Sequence, residues 1–161
     1  MNLFLNKLSF IFTSIWVGGL WTMLMVTYVI FNIMPSTYIA GVMVSNLFSY
    51  INIFGIITLV LALIYGFHIE SIRFFKKMQA WLALIILVIV CISFFGINPI
   101  LEALKLEAFP KEVMESVFAN RFSAWHGIAS IAYLIQCILG VLFLLKSRSF
   151  KEELFLMAHW L

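Results

Sequence analysis

Long apolar runs separated by short polar breaks are the dominant pattern of this chain. Four runs, at about 8–33, 50–69, 80–97 and 123–145, each come close to or exceed the roughly 20 apolar residues that carry a helix across a bilayer. The first run follows a single early base, Lys7, is longer than the apolar core of a signal peptide and has no small-residue cleavage site behind it, so it is expected to be retained. Between the first two runs, the uncharged segment from Pro35 to Tyr50 carries Tyr38, Ile39, Val42, Leu47 and Phe48, which predict a short helix lying at the interface. The connection from about Ile100 to Phe122 is the longest polar stretch. Pro110 should divide it into two amphipathic pieces, with Leu101, Leu104, Val113, Val117 and Phe118 on their apolar sides, able to lid the bundle. The pattern predicts an all-α integral membrane bundle of four transmembrane helices with short interfacial helices, as one domain over residues 1–161.

Composition agrees. Of 161 residues, 65% are hydrophobic and 11% charged, against roughly a quarter charged in soluble domains, and the mean hydropathy is +1.13. These values exclude a secreted disulfide scaffold, a nucleic-acid-binding domain and a disordered tail; the partner they imply is the lipid bilayer. The sites of positive charge orient the chain. With the N-terminus inside, Lys7, Arg73, Lys76, Lys77, Lys146, Arg148 and Lys151 are cytoplasmic and only Lys105, Lys111 and Arg121 are outside, the latter beside Glu102, Glu107, Glu112 and Glu115. Cytoplasmic loops are enriched in bases, so both termini are expected in the cytoplasm, in a multi-pass protein of a bacterial inner (plasma) membrane. The net charge of +3 is then accounted for by anionic inner-leaflet lipid, with no nucleic acid required.

Two helical stripes attract attention. In the first span Ser9, Thr13, Trp16, Leu20, Met23 and Thr27 recur at helical spacing, beside Gly18 and Gly19, which would let a neighbouring backbone approach. In the fourth, Ser123, Gly127, Ser130, Leu134 and Cys137 share a face with His126 at its edge. Each stripe reads either as a packing seam with hydroxyls bonded to their own helix or as the wall of a polar cavity. Trp16, Gly19, Thr27, Ser123, Gly127 and Ser130 are expected to face the interior.

His126 lies inside a span, where an ionisable group is expensive and usually faces protein or a watery pocket. It is a candidate ligand or proton carrier, or a neutral group that fixes helix registry. His68 closes the second span at the opposite side, about 25 Å away at 1.5 Å per residue, so the two cannot share a metal or haem. His159, in the tail from Leu154 to Leu161, could approach His68, but no CxxC, HxxxH or carboxylate set accompanies them. Cys91 and Cys137 fall at similar depths, so a thiol pair or a soft Cu(I) site with Met23 or Met25 as thioether is an open alternative to two small buried hydrophobes. The chain has no aspartate, its glutamates lie outside the spans and no glycine-rich loop follows a strand. Paired-carboxylate hydrolysis, phosphoryl transfer and nucleotide binding therefore lack their parts.

Several short motifs occur in order: Trp16-Val17-Gly18-Gly19, Ala40-Gly41 followed by Leu47-Phe48, Asn98-Pro99-Ile100, and Phe122 with His126-Gly127 and Ser130. Together they resemble the transmembrane-protein-205-like family, which implies a four-helix membrane protein without an established general activity. The Trp-x-Gly-Gly element also resembles that of the copper-resistance D proteins and the HemJ-type protoporphyrinogen oxidases. In HemJ-like sequences a histidine precedes the tryptophan by seven positions; that place here is Ser9, so the resemblance does not extend to this haem ligand.

The leading functional expectation is a binding or passage role for a small solute or soft cation at an outer-facing polar cavity near His126. The alternatives are a haem- or copper-binding membrane protein and a structural accessory subunit of a membrane complex. A homo-oligomer or a membrane-complex partner is compatible with either. Neither cofactor nor substrate is legible.

Overall fold

The computed structural model describes residues 2–108 and 113–146. Five helices order the chain: α1 (Asn2–Ile33), α2 (Thr37–Glu70), α3 (Met78–Cys91), α4 (Asn98–Ala108) and α5 (Ala119–Leu145). Four stretches are long and apolar enough to cross a membrane: Lys7–Ile33, Thr37–Lys76, Met78–Ala108 and Ala119–Leu145. α1 packs on α2 and α5, and α3 packs on the same two helices, which closes a four-membered ring. Large apolar side chains such as Ile15, Leu61, Val88 and Ile138 are exposed around the outside of every span. So extensive an apolar surface requires lipid. The molecule is an all-α, multi-pass membrane protein.

Local chemistry explains the breaks. Pro35 and Ser36 end α1 and start α2: Ser36 adopts φ −138°, and its side chain accepts hydrogen bonds from the Tyr38 and Ile39 backbone N–H groups, satisfying donors that a helix start leaves unpaired. At the other end of α2, Ser71 has φ 50°, the one non-glycine positive φ among the described residues. The chain then tightens into a 3₁₀ turn over Ser71–Lys76, and Phe74 folds back onto Gly66, where a Cβ would lie 2.4 Å from the ring. Lys77 and Glu70 pair across this turn at 2.5 Å. This end of the bundle, which also holds Lys7, Arg73, Lys76 and Lys146, is called the basic end below; the other is the far end.

Two expectations are corrected. The segment 35–50 is not a separate interfacial helix but the start of α2, which runs 34 residues without interruption. No proline interrupts it after the Ser36 cap, and propagating a helix is far cheaper than starting a second one. At about 51 Å α2 exceeds the roughly 30 Å hydrocarbon core. The far connection likewise starts as a continuation: a wide π-turn over Ile92–Ile97 leads directly into α4, the Asn98 N–H reaching back to Ser93 O just before Pro99, which has no N–H to give. Leu101 and Leu104 are buried as expected. Among the described residues of the connection no second amphipathic helix forms, since residues 113–115 make only a short 3₁₀ turn and Val117 is 93% exposed. Pro110, Lys111 and the tail with His159 lie outside the described residues.

Candidate functional site

The predicted stripe of α1 is its buried face. Thr13, Trp16, Leu20 and Met23 are buried, and Ser9, Gly19 and Thr27 are partly so. Trp16 is the centre of the packing. A Cβ added to Gly55 on α2 would lie 2.4 Å from its Nε1, and one on Gly140 of α5 would lie 3.9 Å from its Cζ3. The indole therefore spans the bundle between two glycines on opposite helices. Leu20, Leu59, Ile86, Val90 and Cys137 complete a fully buried layer around it.

Polar groups are set into this layer from several helices. On α2, Asn52 and Thr58 share the buried face with Gly55. On α5, Gln136 is buried one turn from Gly140, and its Nε2 donates to Ser93 Oγ at 3.1 Å, where the π-turn begins. Three atoms of this group have no partner: Trp16 Nε1, Thr58 Oγ1 and Gln136 Oε1. Their residues are 0%, 3% and 1% exposed. Thr27 Oγ1 and Asn98 Nδ2, nearer the far end, are likewise buried and unpartnered. Leaving such an atom bare in a low-dielectric interior costs about 1–3 kcal/mol, so this concentration is the feature of the fold that packing alone does not account for.

The fourth-span stripe departs from expectation. Ser123, Gly127, Ser130 and His126 are exposed, and so is Leu134; of that stripe only Cys137 is buried. The buried face of α5 is Tyr133, Gln136, Cys137, Gly140 and Phe143, all in the half nearer the basic end. Ser130 and Cys137 are seven residues apart and nearly share a helical angle, so the difference lies in the neighbour rather than in the phase. On α1 beyond Met23, Val26, Thr27 and Ile30 are only partly buried, and Met25, Tyr28, Val29 and Ile33 are exposed. His126 stacks on Phe122 with ring centroids 5.8 Å apart, and its carbonyl accepts the Ser130 hydroxyl at 2.9 Å; among the described residues its ring has no hydrogen-bond partner on another helix. The closing contact between this open flank and the polar interior is Tyr133, whose hydroxyl donates to the Leu20 carbonyl and whose ring meets Phe48 of α2 edge-on at 4.8 Å.

Of the candidate soft-metal donors, Met23 is buried in the same core cluster as Cys137. Cys137 is buried and Cys91 partly so, both as free thiols, and Met25 points away at 75% exposure. Among the described residues no three His, Cys, Asp or Glu side chains converge. Sequence reasoning missed four residues that matter: Thr58, Ser93, Gln136 and Lys105. An amide in the middle of an apolar run, as at Gln136, was a readable signal. Lys105 was counted as a surface base, yet it is 8% exposed, its Nζ donating to Gly41 O at 3.1 Å, Ser45 Oγ at 3.3 Å and Glu102 Oε1 at 3.0 Å. It clips α4 to the start of α2.

Ring packing, a lipid-facing exterior and a polar interior define a multi-pass helical membrane protein with hydrogen-bonding groups at its centre. The chain belongs to the family described as Domain of unknown function (DUF4149), whose model matches residues 11–110. That segment holds Trp16, Thr58 and Ser93 and ends before α5, which adds Gln136. No curated protein and no solved structure matches the chain.

Proposed function

We propose that the protein is a non-catalytic inner-membrane component that passes a small polar solute through its bundle, from the far end toward the polar centre. One observation carries this reading: three helices contribute buried polar atoms without partners to the same central region. The solute meets α5 first at the exposed flank with His126 and Ser130, then Tyr133, whose bond to Leu20 O spans α1 and α5, and then Gln136 one turn further in. The far end is outside in this proposal, on the strength of the basic residues gathered at the opposite end. Kinship with the transmembrane-protein-205-like family belongs to the same proposal, supported by the motif residues Trp16, Gly19, Ala40 and Phe48 standing at helix contacts.

Orientation is checked by placing a single cysteine at exposed Glu107 or at Lys77 in a cysteine-free background. An impermeant thiol reagent added outside should label the first and spare the second; the reverse pattern refutes the orientation. Passage is checked with the purified chain in phospholipid vesicles, following solute entry by stopped-flow light scattering with acetamide, glycerol and sodium acetate. Faster entry of at least one solute than into empty vesicles is expected. Entry no faster for any of them contradicts a passage role.

A further inference from the structure

We infer that the bundle centre is a binding site for small uncharged molecules that both donate and accept hydrogen bonds, primary amides and water being the simplest. The inference rests on the passage reading and adds to it the site and the chemical class. The donor–acceptor requirement comes from the unpartnered atoms themselves. Trp16 Nε1 can only donate, so its occupant must present an acceptor. Gln136 Oε1 can only accept, while one N–H of the same amide donates to Ser93 Oγ at 3.1 Å, so the occupant must also present a donor. Thr58 Oγ1, equally unpartnered, can do either.

Placement follows from the two glycines. The indole edge that carries Nε1 lies on Gly55, and the opposite edge approaches Gly140. Thr58 is three residues from Gly55 toward the basic end, and Gln136 is four residues from Gly140 toward the far end, so the polar atoms form a file about 10 Å long with Trp16 between its ends. Buried Asn52, three residues from Gly55 on the far side, stands at nearly the level of Gln136. A primary amide meets these atoms with its carbonyl oxygen as acceptor for Trp16 Nε1 and Thr58 Oγ1 and its N–H groups as donors to Gln136 Oε1. The π-turn starting at Ile92 puts Ser93 at this level, and such widened turns recur where helices serve a function.

Charge selects the class further. Lys105 is the buried charged residue among those described, and its ammonium is taken up by Gly41, Ser45 and Glu102 near the far end. Among the described residues no other charged side chain is buried to balance an ion beside Trp16, Thr58 or Gln136, and an unpaired charge at that depth is prohibitively costly. Acetamide, acetone and acetate have nearly the same shape and differ in the properties at issue: acetamide donates and accepts, acetone only accepts, and acetate is charged.

The test is saturation-transfer NMR of these three probes on the full chain in detergent. Saturable acetamide binding is expected, with acetone weaker by about tenfold, the size of one lost hydrogen bond to a buried group, and acetate unbound. Gln136→Leu should abolish the preference for acetamide over acetone by removing the acceptor that reads the N–H. Thr58→Val, which keeps the side-chain shape, should weaken acetamide binding while the melting temperature holds or rises, because the hydroxyl it deletes has no protein partner. Equal binding of acetone or acetate, no saturable acetamide binding, or an undiminished preference in Gln136→Leu would each overturn the inference. Vesicle entry of a solute without saturable binding would remove this site and leave passage standing. Binding without entry would do the reverse.

Discussion

Gly55→Val should be among the most destabilising single substitutions in the bundle. The new Cβ would fall 2.4 Å from Trp16 Nε1 and 2.7 Å from Cε2, and the indole is fully buried with Gly140 at its other edge, so it cannot retreat. Replacing a helical glycine ordinarily recovers up to about 1 kcal/mol of propensity, but overpacking a close helix contact costs about 1–3 kcal/mol and sometimes more, so the clash wins. The melting temperature in detergent should drop clearly, and Trp16→Phe in the same chain should restore part of it by shrinking the ring. Gly127→Leu is the contrasting control. Sequence reasoning placed Gly127 at a packed seam, but nothing lies within 4 Å of a Cβ there, so its melting temperature should stay close to that of the native chain. Equal losses at the two sites would contradict the packing described.

Lys105→Glu should release α4 from α2. The Nζ group makes three hydrogen bonds, and bonds to a charged group contribute about 1.5–3 kcal/mol each in favourable settings. Glu102 is 43% exposed on its side chain, so water screens that pair and the contacts to Gly41 O and Ser45 Oγ carry most of the effect. Lys105→Met should nonetheless be mild, because it removes the buried charge and its desolvation cost together with those bonds, the stem stays packed, and Ser45 Oγ keeps its bond to Val42 O. Lys105→Glu instead faces a carboxylate toward a carbonyl and a second carboxylate, and should cost several kcal/mol. Limited proteolysis within residues 98–108 reports the release: cleavage should accelerate in Lys105→Glu and change little in Lys105→Met. Equal protection in both variants would contradict the clip.

The spans were legible because apolar length and basic flanks are local properties, and the α1 stripe was legible because neighbours cover the helix at every turn from Thr13 to Met23. The α5 stripe was not. Ser130 and Cys137 occupy almost the same angle, and what separates exposed from buried is which neighbouring helices stand beside each, which no pattern within α5 encodes. Lys105 was misread for a related reason: its burial depends on α2 extending beyond the membrane core, and that extension follows from the absence of a proline after Ser36 rather than from hydropathy. Trp16 was singled out from sequence. Its partners were not, since Gly55, Thr58 and Gln136 become one site only when three helices are brought together.

In the proposed passage role the polar interior around Trp16, and not the His126 flank, governs what the protein admits. Acetamide entry into vesicles carrying the native chain, Thr58→Val or His126→Gln, with melting temperatures measured in parallel, tests it most directly. Thr58→Val should slow entry toward that of empty vesicles without loss of stability, while His126→Gln should leave both quantities near those of the native chain. Native entry in Thr58→Val, together with abolished entry in a stable His126→Gln protein, would contradict it and move the functional centre to His126.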